Sequence, residues 1–182
     1  MPEWDDREII EGVKTPGKEE EAFRQLVQKY QERLYWHVRK IVIGHDDSDD
    51  VLQNTMIKVW RSLPNFRSDS GLYTWIYRIA TNEALTFLKQ KKRKVFAPWV
   101  DVEQKMSDTL KSDPWFNGDE IQLKLQKAIL KLPDKQRIVF NMKYFDQMKY
   151  NDMAEILKTS VGALKASYHH AVKKIESMLG DY

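Results

Sequence analysis

The pattern of apolar positions along the chain predicts helices throughout. Apolar residues recur every three or four positions in several separate stretches, which is the spacing that gives a helix one buried face. No stretch shows the convincing apolar–polar alternation of a half-buried strand. Seven glycines and six prolines lie mostly between the periodic stretches. The pattern therefore predicts an all-α protein.

Three periodic stretches predict an N-terminal helical bundle. The first covers residues 23–42 and ends at Gly44, the second covers 51–63 and ends at Pro64, and the third covers 72–87. Asp49 and Asp50 are predicted to start the second helix, because the positive end of a helix dipole favours acidic side chains. We expect the three apolar faces to bury one another.

A second helical domain is predicted after a linker. Periodicity fades over residues 95–118, where prolines and a mildly acidic composition indicate a connecting segment. It resumes with Ile121, Leu125, Ile129 and Leu132, and a further helix is expected after Pro133. Two more helices are predicted over 150–157 and 161–179. The predicted domains are thus two small helical ones, 1–94 and 119–182, joined by the linker 95–118.

The last two predicted helices have the features of a helix-turn-helix. Ser160 is a plausible N-cap. One detail counts against a helix-turn-helix: such turns often have a glycine in the left-handed region, and this chain has Lys158 nearest that place. The inward face of the first helix is predicted to carry Tyr150, Met153, Ala154 and Leu157. The outer face of the last helix carries small residues and then basic ones: Ala163, Ala166, Ser167, His170, Lys173 and Lys174. That order suits a helix in a DNA major groove, although an ordinary helical hairpin with a solvated basic face would also explain it.

Composition limits the possible functions. The net charge of +3 is small for a protein that binds nucleic acid by bulk charge, so local charge patterns matter more. The chain has no cysteine, which excludes disulfides and thiol chemistry. Its acidic N-terminus does not resemble a signal peptide, and no apolar run approaches the ~20 residues of a membrane span. A soluble cytoplasmic protein without membrane insertion is expected.

The segment from Asp49 to Lys94 combines an acidic helix with an aromatic and basic one. Asp49 and Asp50 precede Gln53, Asn54 and Lys58, a polar face that could dock on a protein. The third helix is expected to present one nucleic-acid face, formed by Thr74, Arg78, Asn82, Lys89 and Lys92. The run of basic residues at its end has no acidic neighbour in the sequence.

The loop before this third helix is a candidate base pocket. The loop formed by residues 66–71 is short and polar. A nearby aromatic side chain, Trp75 or Phe66, could stack on an unpaired base. We expect Trp75 to be partly buried. The acidic cluster 46–50 could instead suggest a metal site, but it lacks the glycine and distal glutamate of a calcium loop.

These motifs together resemble a known family. Residues 49–54, Trp60, Phe66–Arg67 and 74–82 are similar to region 2 of a bacterial sigma-70-type sigma factor. Residues 132–140, 153–157 and 161–167 are similar to region 4. Two such blocks with only a short linker between them resemble the extracytoplasmic-function (ECF) group of RNA polymerase sigma factors.

The resemblance implies a set of partners and residue roles. Region 2 of such a factor binds the β′ clamp of core RNA polymerase, and region 4 binds the β flap. The residues that would bind polymerase are Asp49, Asp50, Gln53, Asn54, Lys58 and Trp60. Those that would recognise and melt the minus-ten element, with a flipped non-template base, are Asn65, Phe66, Arg67, Ser68, Asp69, Trp75, Arg78, Asn82, Lys89 and Lys92.

Region 4 would place the last helix in the major groove of the minus-thirty-five element. The implied contacts are Ser160, Val161, Gly162, Ala163, Lys165, Ala166, Ser167, His169, His170 and Lys173. Ser167 and His170 stand where such recognition helices often have arginine. The linker would thread through polymerase toward the RNA exit path, and an anti-sigma factor is a further implied partner.

The predicted function is that of an ECF sigma factor, which binds core polymerase, directs it to promoters and helps melt DNA. No catalytic residue, cofactor or metal is predicted. Two alternatives are a stand-alone helix-turn-helix regulator and a metal phosphohydrolase using His45 and the aspartate cluster. Binding of promoter DNA that depends on core polymerase would distinguish the sigma factor from the regulator.

Overall fold

The computed structural model describes residues 4–94, 108 and 119–180. The chain divides into two compact units, Met1–Phe87 and Leu88–Tyr182. The predicted linker 95–118 lies outside the described residues except for Asp108. The boundaries predicted for the two domains therefore stay predictions.

The fold class is all-α, as predicted, and the described residues form no strand. The helices of the first part of the chain are α1 (Asp6–Val13), α2 (Glu19–Val42), α3 (His45–Ser62), a 3-10 turn (Leu63–Asn65) and α4 (Leu72–Lys94). Those of the second part are α5 (Glu120–Leu130), α6 (Asp134–Tyr144), α7 (Tyr150–Leu157) and α8 (Val161–Gly180). No helix in the described ranges has the length and apolar character needed to cross a membrane.

The core of the N-terminal unit is built on one stripe of α2. Its buried apolar residues are spaced by three or four positions: Ala22, Leu26, Tyr30, Leu34, Val38 and Ile41. Buried side chains of α3 and α4 complete the core, including Val51, Val59, Ile76 and Ala80. His37 and Thr81 place a polar contact inside it, with 2.8 Å between Nε2 and Oγ1. The helices predicted over 23–42, 51–63 and 72–87 are therefore confirmed.

The helix α1 was not predicted. It is only eight residues long, which is too short for a clear period. A capping box was nevertheless present in the sequence: Asp5 accepts a hydrogen bond from the Glu8 amide at 2.8 Å, and Glu8 accepts one from the Asp5 amide at 2.7 Å.

The predicted start of α3 was wrong by four residues. The helix begins at His45, so that Asp46 and Asp47 occupy its first turn. The positive end of the helix dipole therefore favours Asp46 and Asp47. Asp49 and Asp50 lie one turn further along the helix and are exposed.

The C-terminal unit has its own core, between α5, α6 and α8. The buried cluster contains Ala128, Ile129, Leu132, Phe140, Ala171 and Ile175. Ile121 was predicted on the apolar face of α5 but is 74% exposed, because it lies in the first turn, before the buried part of the helix begins. On α7, Met153 and Ile156 are buried, whereas the predicted inward residues Tyr150, Ala154 and Leu157 are only half-buried.

The turn between α7 and α8 adopts the left-handed conformation without the glycine that such turns often have, so the detail that counted against it in the sequence does not prevent the turn. Lys158 takes the left-handed conformation, with φ 52° and ψ 46°. Ser160 accepts a hydrogen bond from the Ala163 amide at 3.2 Å, which makes it the N-cap of α8.

Replacing Lys158 by glycine is expected to stabilise the protein by about 0.5–1 kcal/mol, because glycine adopts the left-handed conformation without the steric cost that a Cβ brings. Urea unfolding followed by far-UV circular dichroism would measure the change. Lys158→Ala is the matched control, since it removes the same charge and keeps the Cβ. Equal stabilisation by both variants would show that the charge, and not the backbone conformation, is responsible.

Candidate nucleic-acid interface

A pocket of about 350 Å³ lies between the 3-10 turn, the following loop and α4. It is lined by Ser62, Asn65, Phe66, Arg67, Asp69, Ser70, Trp75 and Arg78. The volume is near the lower end of the ~300–1,000 Å³ typical of small-molecule sites, which suits a single base. Six of the residues predicted for the minus-ten element are thus brought together in one cavity.

The pocket has an aromatic side and several polar groups. Phe66 and Trp75 pack with ring centroids 5.0 Å apart, and Trp75 is half-buried as predicted. Asn65 and Asp69 supply hydrogen-bond acceptors, and Arg67 supplies a cation. An unpaired base needs this combination, with a ring face for stacking and polar groups for its Watson–Crick edge.

Arg78 brings a buried, unpaired hydrogen-bond donor to the pocket. Its Nη2 donates a long hydrogen bond to Ser70 Oγ at 3.4 Å. Its Nε is buried and has no hydrogen-bond partner among the described residues. A buried donor of this kind carries a free-energy cost until a ligand accepts from it.

One prediction about side-chain exposure in this region was wrong. Thr74 was placed on the nucleic-acid face of α4, but it is buried because it points into the helical core. Phe66, named with Trp75 as a possible stacking surface, lines the pocket, but most of its side chain is buried and it packs against the Trp75 ring. Ser68 is exposed, has a positive φ of 59° and is not part of the pocket lining.

The remaining predicted residues of α4 lie beyond the pocket. Asn82 and Lys89 are exposed. Lys92 is half-buried and forms an ion pair with Asp134. The basic run was predicted without an acidic partner in the neighbouring sequence; the structure supplies one from α6.

A polar surface lies on α3. Asp49, Asp50, Gln53 and Asn54 are exposed there, as expected for a docking face. His45 Nε2 lies 3.6 Å from Asp49, and the Tyr35 hydroxyl lies 2.6 Å from His45 Nδ1. The contact between His45 and Asp49 is too long for a hydrogen bond, and both side chains are largely exposed.

Two larger side chains continue this surface toward the C-terminal end of α3. Lys58 forms an ion pair with Glu83 of α4. Trp60 is 40% exposed and contacts Phe23 edge-to-face, with centroids 4.9 Å apart. A half-exposed tryptophan held by one aromatic contact is typical of a protein-docking surface.

The outer face of α8 is accessible over its whole predicted length. Ser160, Gly162, Ala163, Lys165, Ala166, His169, His170 and Lys173 are exposed. Val161 and Ser167 are half-buried. Lys165 Nζ lies 5.8 Å from the centre of the Tyr150 ring, within the range of a cation–π contact.

Comparisons with known proteins show the family to which the chain is similar. The model of Sigma-70 region 2 matches residues 26–94, and that of Sigma-70 region 4 matches residues 122–175. The RNA polymerase sigma-H factor of Pseudomonas aeruginosa is 30% identical, over 96% of this chain and 93% of its own. The ECF RNA polymerase sigma-E factor of Haemophilus influenzae is 28% identical, over 96% of this chain and 95% of its own.

A solved structure shows the same fold. The sigma factor RpoE from Bartonella quintana, crystallised with the anti-sigma factor NepR, matches with a TM-score of 0.70. The match has 21% identity and covers 87% of this chain and 96% of that one.

The two family models and these relatives define a promoter-recognition factor of the transcription machinery. The chain belongs to the sigma-70 family of RNA polymerase sigma factors, in its ECF group. It binds core RNA polymerase, directs it to specific promoters and helps open the DNA, and it is not a stand-alone helix-turn-helix regulator.

Proposed function

We propose that three surfaces of this sigma factor have separate binding roles: the pocket beside α4, the exposed face of α3 and the outer face of α8. The pocket beside α4 holds one flipped base of the non-template strand at the minus-ten element. The exposed face of α3 docks on the β′ clamp, and α8 enters the major groove of the minus-thirty-five element while its domain contacts the β flap. The protein carries no catalytic residue of its own, and it acts in the cytoplasm.

The observation that carries this proposal is the pocket itself. It combines a partly exposed tryptophan, polar groups from the loop and the buried, unpaired Nε of Arg78. An extruded base can satisfy all three, since it has a ring face and hydrogen-bonding edges. The exposure of Asn82 and Lys89 on the same helix supports a proposed contact with the adjoining strand.

The decisive experiment compares promoter selection with and without core polymerase. The full chain, core polymerase and a library of randomised duplexes would be used, and bound sequences would be identified by sequencing. Enrichment of a two-part promoter only when core polymerase is present supports the proposal. Enrichment of the same sequence by the free chain would show that it binds promoter duplex on its own.

We also propose that an anti-sigma factor regulates this protein. The structural neighbour from Bartonella quintana is bound to the anti-sigma factor NepR. A second solved structure of the same fold, CnrH, matches with a TM-score of 0.70 and 22% identity over 97% of each chain, and it is bound to the cytosolic domain of CnrY. The exposed aromatic and acidic side chains of α3 suit a protein partner that competes with polymerase. Loss of core binding in the presence of such a partner would be the measured effect.

Replacing Lys165 or Lys173 by alanine is expected to weaken promoter binding uniformly across sequences. Each variant should also reduce the slope of log affinity against log salt by about one unit, because each lysine neutralises one phosphate. Binding of holoenzyme to a selected promoter at several salt concentrations would measure both. Lys131→Ala, an exposed lysine between α5 and α6, is the control. An unchanged slope in the first two variants would mean that these lysines are only solvated.

A further inference from the structure

The N-terminal helix α1 is fixed firmly to α2. Asp6 Oδ1 accepts hydrogen bonds from Lys29 Nζ and from the Tyr30 hydroxyl, both at 2.8 Å. Burial and the bond to Asp6 raise the pKa of the Tyr30 hydroxyl, which therefore stays protonated as a donor. Ile9 and Val13 are buried on the same side. This helix is part of the core and not a loose extension.

The contact between α1 and α2 is also close. A Cβ added at Gly12 would lie 2.6 Å from Trp4 Cζ3 and 2.8 Å from Ala22 Cβ. Such distances are well inside van der Waals contact, so the backbone of α1 approaches α2 as nearly as a glycine allows. The end of α1 therefore has a defined position.

That end reaches the loop of the pocket. α1 packs against the 3-10 turn, and Lys14, which follows the helix, donates from Nζ to the Phe66 carbonyl at 3.4 Å. Phe66 in turn supports Trp75. A chain of contacts thus runs from α1 to the stacking surface of the pocket.

The loop needs such support. Residues 67–70 have no helical or strand structure, and Ser68 adopts a left-handed conformation that costs a non-glycine residue free energy. Two side chains from outside the loop hold its ends. Lys14 bonds the carbonyl at the start, and Arg78 bonds the Ser70 hydroxyl near the end.

We propose that α1 is a positioning element of the base pocket and that Lys14 transmits its position to Phe66 and Trp75. The inference rests on the proposed role of the pocket. Lys14 then increases the preference of the pocket for one base over the others at the flipped position, without contacting DNA. A residue that positions the pocket changes the affinity for one base relative to another, whereas a phosphate contact changes the affinity for all sequences.

The test uses Lys14→Met, which keeps the aliphatic stem and removes the donor. Lys14→Arg restores a donor, and Lys18→Met removes an equivalent exposed charge four residues away. Holoenzymes would be compared in competition binding of single-stranded non-template oligonucleotides that differ only at the pocket base. The preferred base would first be identified from a pool randomised over the minus-ten element.

The expected result is a loss of about threefold in base discrimination for Lys14→Met, the effect of one weak, partly exposed hydrogen bond. The salt dependence of binding should be unchanged. Lys14→Arg should recover discrimination, and Lys18→Met should retain it. Urea unfolding of the free chain would be run in parallel, and lost discrimination with wild-type stability would identify a positioning role.

Two results would overturn the inference. Intact discrimination with a salt slope reduced by about one unit would make Lys14 a phosphate contact. Intact discrimination with an unchanged slope would show that the hydrogen bond positions nothing. Arg78→Ala in the same assay separates the two proposals: if it loses affinity while Lys14→Met does not, only the role of α1 fails. If neither variant changes binding, the pocket is not a base site.

Discussion

Replacing Arg78 by alanine should slow promoter opening by about thirtyfold, the factor that corresponds to ~2 kcal/mol. Arg78 is half-buried in the pocket, and its Nε has no partner among the described residues. A flipped base or its phosphate would accept a hydrogen bond from this charged group, and such bonds are stronger than neutral ones. The reporter would be 2-aminopurine placed at the base predicted to flip, since its fluorescence rises when it leaves the stack.

Two control variants sharpen this prediction. Arg78→Lys keeps the charge but loses the planar fork of donors, so opening should be only partly restored. Arg33→Ala removes an exposed arginine of α2 outside the pocket and should open the promoter at the normal rate. Normal opening by Arg78→Ala would refute the base pocket.

Replacing Asp50 and Gln53 together by alanine should weaken binding to core polymerase by about tenfold, or ~1.4 kcal/mol. Both side chains are exposed on α3 one turn apart, and alanine preserves the helix. Asp49 is left unchanged, because its neighbour His45 lies 3.6 Å away and would complicate the interpretation. Fluorescence anisotropy of the labelled chain titrated with core polymerase would measure the affinity.

The matched control for this pair is Glu20→Ala with Gln28→Ala. These residues are an acid and an amide, both exposed, on α2. Their replacement changes the net charge by the same amount and should leave polymerase affinity unchanged. If both double variants weakened binding equally, bulk charge would explain the effect and α3 would not be the docking face.

The long helices were predictable because each carries a repeated apolar period. On α2 the stripe from Ala22 to Ile41 spans five turns, and on α8 it joins Leu164, Ala171 and Ile175. A stripe of that length identifies a helix, whereas a short apolar run could belong to either a helix or a strand. α1 was missed because eight residues give too few repeats, although the capping box of Asp5 and Glu8 was a usable signal.

The candidate site was predictable as a segment but not as a surface. The sequence identified Asn65, Arg67, Asp69 and Arg78 by their proximity along the chain and by residue type, and the structure gathers them in one cavity. The sequence did not indicate that Thr74 is buried, because packing against other helices determines which face of α4 lies toward the core. The inward face of α7 was misjudged at Ile156 for the same reason.

The sequence by itself determined that this protein is helical, where its long helices lie, and which segments resemble the two promoter-recognition regions. These properties depend on local periodicity, capping and turn chemistry, which neighbouring residues encode. Only the tertiary structure decided that Lys14 reaches Phe66, 52 positions away, and that Lys92 pairs with Asp134, 42 positions away. Such contacts depend on how distant elements pack, and no local pattern specifies that packing.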